Sequence, residues 1–258
     1  MLPRTRGTIV SCFCFSVALL FCSMARVAAQ QNRSNVWLRE NVSQSDRREL
    51  TEKLGRITGW SNLSFEANGA LQTGSLQPAV GSPSARALLD KAASGSRVIV
   101  VEDASNRDDV AFGSVTPGRW LRNADYRPEA YVVMIDFADF GQLMGDKRAR
   151  EAFDAGWAML HELDHAVNDT KDSNDIGSVG DCEEHINLMR RELGLPVRTE
   201  YFHTLLLPGR EGRDFPTRFV RLAFEARNDA DQEKRYWLMW DAAVVGGSRE
   251  SKALAAVK

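Results

Sequence analysis

The chain of 258 residues is poor in cysteine and histidine, with four of each. Cys12, Cys14 and Cys22 lie at its very start, and only Cys182 comes later. Without the N-terminal segment, no intrachain disulfide can form. An excess of charge of one sign is also lacking: 33 basic residues face 35 acidic ones. That excludes a strongly basic surface for nucleic acid and a polybasic membrane patch. No Gly-x-Gly-x-x-Gly, phosphate loop or Gly-x-Ser-x-Gly elbow occurs, which removes the common routes to nucleotide or serine-hydrolase chemistry. There are no internal repeats. Beyond the first 29 residues no apolar run is long enough to span a bilayer.

The start of the chain reads as a targeting segment. Arg4 and Arg6 precede a mostly apolar run from Ile9 to Met24, and Val27-Ala28-Ala29 supplies small residues before Gln30. This pattern predicts a Sec-type signal peptide over residues 1–29, cleavage near Ala29 and a secreted or periplasmic mature protein. An uncleaved anchor is the alternative, because the run is near the lower limit for spanning. The bulky Phe21 before Cys22 argues against lipoprotein processing. Residues 30–84 read as a helical subregion, with Leu50, Leu54 and Ile57 as its stripe, followed by a Gly/Ser/Pro-rich linker. The same stretch is also readable as a prosegment. Residues 85–258 form the expected main domain.

All four histidines, His161, His165, His185 and His203, fall in one short segment. The first two sit in His161-Glu162-Leu163-Asp164-His165, an H-E-x-x-H pattern. Histidines four apart stand one turn above each other on a helix face, where both imidazoles can reach one ion. The glutamate between them is placed to act as general base. The spacing predicts one helix from about Lys147 to Val167, with Phe153, Trp157, Leu160, Asp164 and Val167 near one face. Asp164 is the lone charge on that face.

A second helix is expected over Asp181 to Leu193, stopped by Gly194 and Pro196. Asp181 fits an N-cap and Glu184 a capping box. Cys182, Ile186, Met189 and Leu193 make the apolar stripe, so Cys182 reads as a small buried hydrophobe. Glu183 borders the stripe and is the candidate third metal ligand. His185, on the other flank, is its main rival, ahead of Asp181 and Asp175. Asn187, one turn after Glu183, is a candidate to hydrogen-bond a ligand.

Two histidines and a glutamate in H-E-x-x-H, followed by a glutamate on a later helix, resemble the gluzincin branch of zincin metallopeptidases. The Glu183-to-Asn187 spacing resembles that branch too, with Asn where the branch has Asp. Arg190-Arg191-Glu192-Leu193-Gly194-Leu195-Pro196 resembles a feature of bacterial effector and toxin-type zinc metallopeptidases. The likeness covers about Trp157 to Arg198, and Asp164 departs from it, standing where many zincins have a small residue. The resemblance implies one catalytic zinc held by His161, His165 and Glu183, with Glu162 as base and a peptide or protein as substrate. Tyr201 and His203, on an expected following strand, are candidates to stabilise the oxyanion, although strand packing alone would explain either.

Apolar runs at Val98–Val101, Tyr131–Ile135, Tyr201–Leu207, Phe219–Ala226 and Tyr236–Ala243 read as strands. The expected fold is therefore α+β and zincin-like, with a mixed sheet backing the H-E-x-x-H helix and a second ligand-bearing helix. The expected activity is zinc-dependent peptide hydrolysis. A non-catalytic binding protein on the same scaffold and a cell-wall peptide amidase are the alternatives.

Overall fold

The structure, a computed structural model, describes residues 34–76, 80–105, 107–118, 129–175, 178–200, 204–205, 219–227 and 232–246. The expected signal peptide, Tyr201 and His203 lie outside them. The described helices are α1 (Gln44–Thr58), α2 (Pro83–Ser94), α3 (Phe137–Phe140), α4 (Lys147–Glu151), α5 (Ala155–Asn168) and α6 (Gly180–Glu192). The longer strands are β6 (Val98–Asp103), β7 (Gly113–Pro117), β8 (Ala130–Ile135), β12 (Phe219–Arg227) and β13 (Glu233–Asp241). Short ones are β1 (Val36–Leu38), β2 (Trp60–Ser61), β3 (Ser64–Phe65), β4 (Leu71–Gln72), β5 (Ser75–Leu76), β9 (Met144–Gly145), β10 (Val197–Arg198) and β11 (Thr204–Leu205).

A four-stranded mixed sheet runs β1-β6-β8-β7. β1, β6 and β8 are parallel, and β7 closes the described edge antiparallel to β8. The second sheet runs β10-β12-β13-β9, with β11 also pairing β12, and is built on the β12–β13 hairpin. The chain is thus α+β with a mixed sheet and helices, as expected. The described residues make one compact unit, and β1 pairs directly with β6. The stretch read as a linker carries β4, β5 and the start of α2.

The predicted helix over Lys147–Val167 is two helices. Asp154 breaks it by capping α5: its carboxylate accepts from the N–H groups of Gly156 at 3.0 Å and Trp157 at 3.3 Å. Arg56 and Lys53 of α1 pair with the same carboxylate at 2.8 and 3.3 Å. α5 is buried nearly all round: Trp157, Met159, Leu160, Leu163 and Ala166 are at most 1% exposed. Such a helix must be enclosed, and it packs between the four-stranded sheet and α1, α2 and α6. α1 approaches so closely that a Cβ on Gly156 would lie 2.8 Å from Cβ of Lys53. Only a glycine lets the two helices meet there.

α6 starts one residue earlier than expected, at Gly180, with Val179 as N-cap and no side-chain capping bond. Asp181 and Glu183 lie in its first turn instead, facing the positive end of the helix dipole. Glu184 is exposed and pairs with Arg191 at 3.6 Å.

Candidate metal centre

α5 presents His161 and His165 on its one side that is not sealed in the core. Each ring has its Nδ1 engaged. Nδ1 of His161 is 3.3 Å from Oε2 of Glu183. Nδ1 of His165 is 2.8 Å from the carbonyl oxygen of Thr170, which can only accept. With a proton on each Nδ1, the two Nε2 atoms would face inward as ligands. The two Nε2 atoms stand 3.1 Å apart, and Oδ1 of Asp172 lies 3.1 Å from one and 3.3 Å from the other. The Cys182 thiol, fully buried on α6, donates to the His161 carbonyl at 3.4 Å. One ligand atom from each of His161, His165, Asp172 and Cys182 falls within 4.8 Å of all the others.

This group could hold a metal ion. Donors about 2.0–2.3 Å from a tetrahedral centre stand roughly 3.3–3.8 Å apart; those of His161, His165 and Asp172 are 3.1–3.3 Å apart, and that of Cys182 lies within 4.8 Å of each. Without an ion, the rings themselves take up the positive charge that the neighbouring carboxylates favour. Burial opposes protonation of His165, but hydrogen bonds to Asp172 and Cys182 outweigh it and raise its pKa to about 11. The same balance, with Glu183 added, holds His161 well above the usual histidine range.

Glu183, the expected third ligand, meets His161 but is not in this group of four. It is buried, and its carboxylate is shared by Arg190 and by Arg198 at 3.0 Å. Burial would raise its pKa, yet the two guanidinium groups drive it well below the usual carboxylate range. It meets His161 at Nδ1, the far side of the ring from Asp172. Glu183 thus meets the ring of His161 from one side, and Asp172 and Cys182 are the other two members of the group of four. Arg190, 2% exposed, also lies over the rings of Trp157 and Phe224, at 5.2 and 5.4 Å. Asn187 binds the chain of Arg198: its amide donates to the Arg198 carbonyl and its oxygen accepts the Arg198 N–H.

His185 is turned away from the group. It is half-exposed, with Nδ1 3.0 Å from Asp164. Asp181 and Asp175 are not in the group either. Asp164, buried on α5, also accepts from Asn168 at 2.6 Å and from Thr170 at 2.7 Å. The unexpected carboxylate therefore fastens the turn whose carbonyl orients His165.

Glu162 lies on the other flank of the imidazoles. Burial raises its pKa, against the lowering effect of His161 and His165. It sits on the wall between two spaces. One is a cavity of about 130 Å³ lined by Phe112, Phe153, Trp157 and Arg198 among others. The other is an open groove bounded by β7, His165 and Asp172. Gly113 covers Glu162 so closely that a Cβ there would lie 3.3 Å from its Cγ and Oε1. The preceding residue, Phe112, holds a φ of 64°, a conformation that costs a bulky residue about 1–3 kcal/mol. Asp139 secures it by accepting the Phe112 N–H at 3.1 Å.

Of the group of four, sequence reasoning picked out His161 and His165 and missed Asp172 and Cys182. The signal for Asp172 was its place in the polar loop directly after α5. For Cys182, apolar periodicity pointed to the core, and nothing in the spacing revealed that this part of the core is lined by imidazoles. In comparisons with family models, with curated proteins and with solved structures, nothing matches this chain.

Proposed function

We propose that this protein is a zinc-dependent metallopeptidase in which Glu162 is the general base. One observation carries the reading. A buried carboxylate with a raised pKa stands on the same helix turn as two inward-facing imidazoles, at the edge of an open groove. A metal site that served only to brace the fold would have no use for it. The bound ion would polarise a carbonyl and acidify water. Glu162 would take the proton of the attacking water and return it to the leaving amine. Glu183 keeps the His161 ring oriented, and the Thr170 carbonyl does the same for His165. β7, the antiparallel edge strand among the described residues, lies beside Glu162 and supports a zincin-like arrangement, because a strand edge can pair with an extended peptide.

A second reading has its own support. Four potential donors converge, and structural zinc sites are closed by four protein ligands. The protein would then be a binding module braced by metal. Metal analysis, with peptide hydrolysis measured before and after chelation, separates the two. About one zinc per chain and chelator-sensitive hydrolysis abolished in Glu162→Gln support the peptidase; one zinc without hydrolysis supports the module. Export belongs to the same proposal. N-terminal sequencing of protein from its host should begin at Gln30, and a start at Met1 in the membrane fraction refutes cleavage.

A further inference from the structure

We propose that the metal ion takes four ligands from this chain, His161, His165, Cys182 and Asp172, and that Asp172 is the one that leaves to admit substrate. This rests on the metallopeptidase reading and extends it to regulation of the same site.

Charge argues for the set. A divalent ion away from water needs its charge neutralised nearby. The charge of Glu183, which lies outside the group, is already offset by Arg190 and Arg198. Each imidazole would be neutral once Nε2 binds the ion, with its Nδ1 proton held by Glu183 or Thr170. A thiolate at Cys182 and a carboxylate at Asp172 supply the two negative charges required. The Cys182 proton is released on binding.

Position separates the two anions. Cys182 is fully buried in the first turn of α6, so it cannot withdraw without moving the helix. The Asp172 side chain is 37% exposed and lies on the wall of the groove that also holds Glu162 and His165. Its backbone is pinned by a bridge to Gly180. Movement of the Asp172 side chain into the groove would therefore open a coordination position. In the resting protein the position is closed, which makes the hydrolase self-restrained.

Cobalt substitution tests this without relying on activity. The native protein loaded with Co²⁺ should show a thiolate-to-cobalt charge-transfer band in the near ultraviolet and bind about one ion per chain. Cys182→Ser should lose the band. Its affinity should fall by more than about 100-fold, beyond the loss typical of an outer partner. Asp172→Ala should keep the band and the ion, and added azide should shift its visible cobalt bands while leaving those of the native protein unchanged. One bound cobalt without a thiolate band in the native protein, whose folding is not in question, overturns the ligand set. Azide acting equally on native and Asp172→Ala proteins overturns the gate. A band with no hydrolysis upholds the ligand set and sinks the peptidase reading instead. Hydrolysis without the band does the reverse.

Discussion

Glu183 and His161 meet at 3.3 Å, carboxylate to Nδ1, on the side of the ring away from Asp172. The carboxylate thus acts on metal binding only through the imidazole and through two arginines. Glu183→Gln leaves Arg190 buried and short of its charge partner, which is expected to destabilise the fold by about 3–5 kcal/mol. Metal affinity should fall by about 10–100-fold and persist, whereas His161→Ala should abolish it. Urea denaturation in chelator, paired with competitive metal titration, reads both effects. Complete loss of metal from a folded Glu183→Gln protein would return Glu183 to the ligand set.

Glu162→Gln should bind metal as the native protein does and lose hydrolysis by about 100- to 10,000-fold, the usual contribution of a general base. Metal content and kcat on one preparation decide it. A variant with full activity would place the base elsewhere.

Gly113→Ala probes the same carboxylate from the opposite side. The added methyl would press on Cγ and Oε1 of Glu162 at 3.3 Å, and misplacement of a catalytic group can lower the rate by about 100-fold. Metal content should not change. Parallel loss of metal and activity would mean that β7 shapes the whole site rather than Glu162 alone.

Asp139 gives a pH signature remote from the metal. Burial, reinforced by Asp136, raises its pKa to about 6, against the backbone N–H groups of Phe112 and Gly246 that lower it. The native state then keeps a proton that the unfolded chain releases near pH 4. Stability attributable to Asp139 is therefore full below about pH 4 and declines as pH rises toward 6. Asp139→Asn, whose amide oxygen can still accept the Phe112 N–H, should remove that decline. It should gain on the order of 1 kcal/mol relative to the native protein at pH 7. Tm measured against pH for both proteins checks it; parallel curves would refute it.

Gly156→Ala should cost about 1–3 kcal/mol, since its Cβ would lie 2.8 Å from Cβ of Lys53 in a packed helix pair. Thermal unfolding measures this directly, and a neutral result would mean that α1 yields.

The elements most legible in the sequence were those with strong local patterns. β6, β8, β12 and β13 follow their apolar runs, and α1 buries the expected Leu50, Leu54 and Ile57. The break at Asp154 was not legible, because a capping side chain stops a helix only when the chain around it turns, and the residues that hold Asp154, Lys53 and Arg56, are far away in sequence. The two histidines and Glu162 were legible because one helix carries all three. Asp172 was not, since its reach depends on the turn fastened by Asp164. Cys182 and Glu183 are adjacent, and helical periodicity could not tell which of them joins the group of four and which meets His161 at Nδ1.

All four donors come from the short span between residues 161 and 182. An ion bound among them closes a small loop and links no distant parts of the chain, so it removes little entropy from the unfolded state. The bridge between Asp172 and Gly180 already draws the base of that loop together, which spares the ion most of the work of ordering it. The sheets, the hairpin and the Arg190 stack are assembled by contacts outside this span. Metal loss should therefore loosen one corner of the molecule, seen as faster amide exchange over residues 169–182, while the remainder stays folded and able to reload.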